Sequence, residues 1–217
     1  MFNVMNINFG VLQYEFISND IESIFGHIRG KITDEKPDII LLQGIQQIQN
    51  LDSIIQENDL FYSHYSRSTK RGYAAVMVNA KMFDIEILSR EHLKHGKPED
   101  RRNLFNGLSC VQLHHKKLNY NLLVSSWDGN PLAVDTRTDE SFLLTTLMKR
   151  TSIDRPWLIG GCFTDSTRNI ESKFLVGINK TSKLKLFIEN VTSSSVLDDE
   201  TKTAFPVTAH IRVLNQS

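Results

Sequence analysis

The chain has 217 residues, 40% of them apolar and 23% charged, the make-up of a soluble globular protein, and this length suits one domain because a single core grows to roughly 250 residues before splitting. Lysine plus arginine (25) balance aspartate plus glutamate (25) for a formal net charge of +0, which excludes a chain held on nucleic acid by bulk charge alone but leaves room for a local basic patch. Two cysteines, Cys110 and Cys162, cannot build a disulfide framework, and no apolar run approaches the roughly 20 residues of a membrane span.

The opening run "MFNVMNINFG" lacks the basic-then-apolar layout of a signal peptide. The expected home is therefore the cytoplasm or nucleus, and the sequons at Asn179 and Asn190 read as chance. No repeat, low-complexity tract or Pro/Gly/Ser-rich linker interrupts the chain, which reads as a single domain over residues 1–217. Residues 2–7 read as a strand. Ile21, Ile24, Phe25, Ile28 and Ile32 then recur at helical spacing, with Ser18, Asn19 or Asp20 available as N-cap. After Pro37, "DIILLQ" is a continuous apolar run, the pattern of a strand buried on both faces. A weaker helical pattern covers Leu51 to Glu57.

Four strand-like runs follow: "YAAVMVN", "FDIEIL", "GLSCVQLHH" and "NYNLLVSSW". A second helix is expected from Asp139 to Arg150, through Phe142, Leu143, Leu147 and Met148; the runs "WLIGG", "KLKLFIENV" and "HIRVLN" complete the set. The mixture is α/β (α+β), read as two packed mixed β-sheets with helices outside. The basic run "SRSTKRGY" (Arg67, Lys70, Arg71) has phosphate-binding chemistry, as has "HHKK" (His114 to Lys117), but solvated hairpin turns account for both. His92 and His95 stand three apart with no further ligand at metal spacing, and read as a surface loop.

Five short motifs, in order, resemble those of the endonuclease/exonuclease/phosphatase superfamily, the DNase I-like metal-dependent phosphoesterases. They are Asn6-Ile7-Asn8-Phe9-Gly10, Pro37-Asp38 through Gln43-Gly44, Ser126-Trp127-Asp128-Gly129, Gly161-Cys162-Phe163-Thr164 and Ala209-His210-Ile211-Arg212-Val213. Each alone is weak. Together they span nearly the whole chain and imply a DNase I-like four-layer sandwich.

The resemblance implies a site in which Asn and Glu hold a divalent metal, usually magnesium. An Asp-x-Asn pair positions water and phosphate, one His stabilises the phosphoryl charge, and an Asp-polarised second His does acid/base work. Carried over, Asn6 and His210 are kept. Gly44 stands for the Glu, Asp128 for the first His, Cys162 and Thr164 for the Asp-x-Asn pair, and Ala209 for the last Asp. Magnesium wants oxygen ligands, usually including a carboxylate. Gly44 and Ala209 offer no side-chain oxygen, and Cys162 offers a soft sulfur better suited to zinc or copper.

These seven residues are therefore expected to line a vestigial pocket at the strand ends, with no cofactor and no metal. The expected function is a catalytically inactive binding module, whose partner is a protein or, through the "SRSTKRGY" side, a weakly held nucleic acid. The oligomeric state stays open. A competing expectation is an active magnesium-dependent phosphodiesterase or nuclease with a rewired site using Asn6, Asp128 and His210. A Cys162 nucleophile with His210 as base is another rewiring, against which a lone cysteine is more often an apolar filler. A decayed relative with no selected role is the third.

Overall fold

The structure, a computed structural model, describes residues 1–9, 21–45, 61–66, 72–88, 107–129, 140–152, 154–164, 170–177, 184–193 and 207–215. The expected helix at Leu51–Glu57, the three N-cap candidates, Gly10, Arg67, Lys70, Arg71, His92, His95 and Asn179 lie outside the described residues.

Strand β1 (Phe2–Asn8) is followed by helix α1 (Ile21–Glu35) and strands β2 (Ile39–Ile45), β3 (Phe61–Tyr65), β4 (Tyr73–Asn79), β5 (Phe83–Ile87), β6 (Leu108–His115) and β7 (Tyr120–Asp128). Helix α2 (Glu140–Ser152) precedes β8 (Trp157–Thr164), β9 (Ile170–Gly177), β10 (Leu184–Ser193) and β11 (Val207–Asn215). The strands form a six-stranded sheet in the order β10-β11-β1-β2-β4-β3 and a five-stranded sheet in the order β5-β6-β7-β8-β9. Among the described residues no helix is long and apolar enough to cross a membrane.

Alternation along each strand sorts the apolar side chains into three layers. Phe2, Val4, Ile39, Leu41, Val76 and Val78 face inward against Val111, Leu113, Leu122, Val124 and Leu158 of the other sheet. Met5, Ile7, Ile40, Leu42 and Met77 face outward and bury Ile28 and Ile32 of α1. Leu123, Trp127, Trp157, Ile159 and Phe163 do the same for Leu144, Leu147 and Met148 of α2. The result is the expected sandwich of helix, sheet, sheet and helix. It also explains the unbroken apolar run of β2, which has a core on both sides.

Local chemistry sets the element ends. Helix α1 stops where Lys36 enters the left-handed region (φ 45) and sends its N–H back to the Ile32 carbonyl at 3.0 Å, with Pro37 barring continuation. The β6–β7 hairpin turns through Asn119 (φ 50), whose N–H donates to the His115 carbonyl at 2.8 Å. The "HHKK" run is thus the end of β6 followed by the start of the turn, and not all of it is solvated: His115 is buried, and its ring lies edge-on to Phe83 with centroids 5.1 Å apart. Strands β3 and β9 were not among the expected elements. Strand β11 begins three residues before the expected "HIRVLN" run.

Candidate functional site

The parallel pair β1–β2, in register Asn6↔Leu41 and Asn8↔Gln43, lies over the parallel pair β7–β8, in register Ser126↔Gly160 and Asp128↔Cys162. Polar side chains from both sheets meet between their carboxyl-terminal ends. Gln43 Nε2 donates to Asn6 Oδ1 at 2.7 Å and to Ser126 Oγ at 2.9 Å. Ser126 Oγ passes its hydrogen to the Leu42 carbonyl at 2.8 Å, and Asn6 Nδ2 donates to the Gly161 carbonyl at 3.3 Å. One strand over, in β6–β7 register, Ser109 stands opposite Ser126. Its hydroxyl donates to the His64 carbonyl at 2.9 Å and lies 2.9 Å from His64 Nδ1. Because the Ser109 hydrogen is already committed, Nδ1 carries the hydrogen of that second contact.

Asn6, Gln43, Ser109 and Ser126 are all buried, so these bonds replace water that the groups have lost. Their polarity is fixed throughout: Asn6 accepts from Gln43 and donates to Gly161. Gln43 Oε1 is left without a hydrogen-bond partner among the described residues.

Gly44 follows Gln43 in a β-bulge, where the β2–β4 register shifts between Leu42 and Ile45. Its φ of 71 is the left-handed conformation that glycine adopts at little cost. The extra residue resets the alternation: Gln43 faces the other sheet, whereas Ile45 packs outward with the α1 layer.

Asp128 ends β7 and is buried; its N–H donates to the Gly107 carbonyl at 2.9 Å. Cys162 sits beside it in register, and the Gly129 N–H caps the Cys162 carbonyl at 2.9 Å. Cys162 shares a strand face with Gly160, whose missing Cβ would lie 2.4 Å from Leu41 Cδ1 of the opposite sheet. Thr164 is the last residue of β8. Both cysteines are buried free thiols. Cys110 packs in the α2 layer, and burial pushes its thiol up to about 12, which leaves it protonated and unreactive at neutral pH.

The fifth motif is placed differently from expectation. Strand β11 runs antiparallel to β1 with Val207 opposite Asn6, Ala209 opposite Val4 and His210 opposite Asn3. Ala209 is therefore in mid-strand, in the inter-sheet core with Val4. His210 projects from the opposite face, where Nδ1 lies 2.7 Å from Asn3 Oδ1. On that same outer face Thr208 Oγ1 donates to the Glu35 carboxylate of α1. Asp128 and Cys162 are thus register neighbours, Asn6 bonds Gly161 next to Cys162, and Gly44 follows the Gln43 that bonds Asn6. Ala209 and His210 stand further along β1, opposite Val4 and Asn3. The proposed pairings of His210 with Asp128 or Cys162 are not formed.

Two rim residues, His64 and Ser109, were not read as site candidates. The signal for His64 was the aromatic-rich run "FYSHY", high in β propensity. Burial holds the His64 imidazole below its ordinary value.

As a donor set for magnesium these residues are poor: Gly44 has no side chain, Cys162 beside Asp128 offers a soft thiol, and Asp128 is the one carboxylate among the seven, whereas a hard cation favours several oxygens. Among the described residues no three His, Cys, Asp or Glu side chains are grouped to hold a metal.

No protein-family model matches the sequence, and no curated protein sequence matches it. Solved structures do match its shape. Humanized D. rerio TDP2 superposes with a TM-score of 0.66 at 10% identity, over 97% of this chain and 98% of that one. The human Nocturnin catalytic domain, with bound sulfate, gives 0.67 at 10% identity over 98% and 94%. An endonuclease/exonuclease/phosphatase from Bacteroides vulgatus gives 0.63 at 8% identity over 98% and 99%. At such identities the likeness is one of fold, and the chain has the endonuclease/exonuclease/phosphatase, or DNase I-like, fold.

Proposed function

We propose that this chain is a non-catalytic binding module built on a phosphoesterase and nuclease fold. The observation that carries the reading is the double engagement of Asn6, whose Oδ1 accepts from Gln43 at 2.7 Å while Nδ2 donates to Gly161 at 3.3 Å. The asparagine kept from the resemblance is engaged in tying the two sheets together. Gly44, Cys162 and Asp128 around it supply one carboxylate where the chemistry implied by the resemblance needs several groups acting together.

The module's partner is a protein, or a nucleic acid held weakly through Arg67, Lys70 and Arg71; a net charge of +0 favours the protein. Its place is the cytoplasm or nucleus. The test is magnesium itself. A ligand that binds only the folded chain raises stability by about 2.7 kcal/mol at a hundred times Kd. We expect no rise in Tm at millimolar magnesium and no metal-dependent cleavage of a generic phosphodiester. A saturable, EDTA-reversible shift with turnover would replace this reading by that of an active phosphodiesterase.

A further inference from the structure

Among the described residues strand β10 lies at the edge of the six-stranded sheet and is ten residues long, "LKLFIENVTS". A long edge strand presents unpaired backbone donors and acceptors and is a template for another strand. Its regular part runs from Leu184 to Glu189, before the register shift between Glu189 and Thr192. On the inner face Leu186 is buried against the core and Ile188 packs beside it. The other face carries Lys185, Phe187 and Glu189. Phe187 is 40% exposed, as is Leu214 on the neighbouring strand, a pair of large apolar groups outside every core layer.

The order of these residues is self-complementary. If a second β10 is laid antiparallel with the two-fold axis at Phe187, Lys185 of each strand stands opposite Glu189 of the other. Leu186 then stands opposite Ile188, and Phe187 opposite its own copy. Lys185 and Glu189 are the only charges on β10, and no other register pairs both with opposite sign while keeping apolar against apolar. Opposite charges and aromatic pairs directly across strands are the contacts that stabilise a sheet, whereas like charges there oppose pairing. Lys185 has no ion-pair partner among the described residues. Glu189 meets Arg212 at 2.6 Å and has the lone pairs to accept a second cation, giving a chain of Arg212, Glu189 and the other copy's Lys185.

We propose that the β10 edge is a self-association surface, through which two copies of this chain join their six-stranded sheets antiparallel about Phe187. The symmetry is that of an isologous dimer, in which one surface complements itself.

The test uses the full chain and its two buried native thiols as a silent background. With the axis at Phe187, the Phe187→Cys variant places two sulfurs on directly opposed residues, whose Cα atoms lie about 4.5–5.5 Å apart, within disulfide reach. Mild oxidation is expected to give a covalent dimer of Phe187→Cys, and none of Leu214→Cys, one strand further from the axis. In sedimentation, Lys185→Glu or Glu189→Lys alone is expected to weaken dimerisation at least about tenfold, and the double exchange to restore it. A parent that stays monomeric into the millimolar range overturns the proposal. So do single reversals that fold and dimerise unchanged, or a Leu214→Cys variant that cross-links as readily as Phe187→Cys. Should a charge reversal prevent folding, the cysteine pair decides.

Discussion

Gln43 and Ser126, 83 positions apart in the chain, meet side chain to side chain at 2.9 Å between the two sheets. The same Gln43 amide nitrogen holds Asn6 Oδ1, so one side chain couples the amino-terminal strand, β2 and the second sheet. Replacing Gln43 with Ala leaves Asn6 Oδ1 without its donor and opens space at a fully buried position. We expect Gln43→Ala to lower stability by about 2–4 kcal/mol, measured as a shift in urea midpoint at unchanged slope.

Gly161 lets this rim close. A Cβ there would lie 2.3 Å from the Trp127 backbone oxygen and 2.9 Å from Trp127 Cβ, and backbone cannot move aside as a side-chain tip can. Gly161→Ala is expected to force β7 from β8, strain the Asn6 contact to the Gly161 carbonyl, and cost about 1–3 kcal/mol. Thermal melting checks it. A neutral effect would mean that the two strands are less closely apposed than described.

Gly44 tests whether the resemblance can be restored one residue at a time. Its φ of 71 penalises any residue with a Cβ, by about 1–2 kcal/mol. Gly44→Glu is therefore expected to lose stability and to gain no magnesium binding in calorimetry. Adding Asp128→His, Cys162→Asp and Thr164→Asn rebuilds the groups of the rim together and is the variant in which metal binding is expected to return, since such groups act as a unit.

Much of this architecture was legible because it rests on period-2 and helical patterning. "DIILLQ", "YAAVMVN" and "NYNLLVSSW" became β2, β4 and β7, and Ile28 and Ile32 fell on the buried side of α1. Strand β3 escaped because "FYSHY" mixes aromatic and polar side chains and occupies a sheet edge, where one side needs no partner. Strand β9 has a similarly weak signature in "IESKFLVG". The motifs of Asn6, Asp128 and Cys162 fall in the carboxyl-terminal parts of β1, β7 and β8. The motif of Ala209 and His210 lies three residues inside β11 rather than at its start, because a dipeptide motif says nothing about where its strand begins. Three more residues at the start of β11 move a histidine down the strand and onto the other face. Nothing local in the sequence announces the cross-sheet bonds of Gln43, Ser126, Ser109 and His64, which exist only once two distant segments pack.

Two imidazoles, the buried His115 and the half-buried His64, contribute to the acid response. His64 and His115 both sit below the ordinary imidazole value, each chiefly through burial. The unfolded chain therefore binds these protons more readily than the folded one. Their contribution to stability is fully present above about pH 6.5 and is lost as pH falls from there through the lowered folded values. Protonating His64 adds a hydrogen at Nε2 and leaves the Nδ1 bond to Ser109 in place, so its share of the loss comes from burying charge. Asp38 works oppositely: burial raises its carboxyl, so its ionised form costs stability as pH rises. We expect stability to fall between pH 6.5 and 5, and the slope to flatten in a His64→Asn variant. Urea titrations across that range check both, and an unchanged slope in the variant would place the acid sensitivity elsewhere.

Ala209 separates the strand register described here from the one the motif implied. At the rim, an aspartate in its place would stand with Asp128 near solvent and a metal. In mid-strand Ala209 is fully buried within the apolar inter-sheet cluster that holds Val4 and Ile211. An unpaired carboxylate there either takes up a proton or breaks the packing, and either course is expensive. We expect Ala209→Asp to destabilise the chain by about 3–5 kcal/mol at neutral pH, with part of the loss recovered as the pH falls toward the raised carboxyl value and the side chain neutralises. The His210→Ala variant, which removes only the outer-face contact with Asn3, is expected to cost about 0.5–1.5 kcal/mol. Urea titrations of the two variants at neutral and mildly acidic pH give the comparison. If Ala209→Asp is tolerated as well as His210→Ala, residue 209 reaches the rim after all, and β11 is two residues out of the register that places Val207 against Asn6.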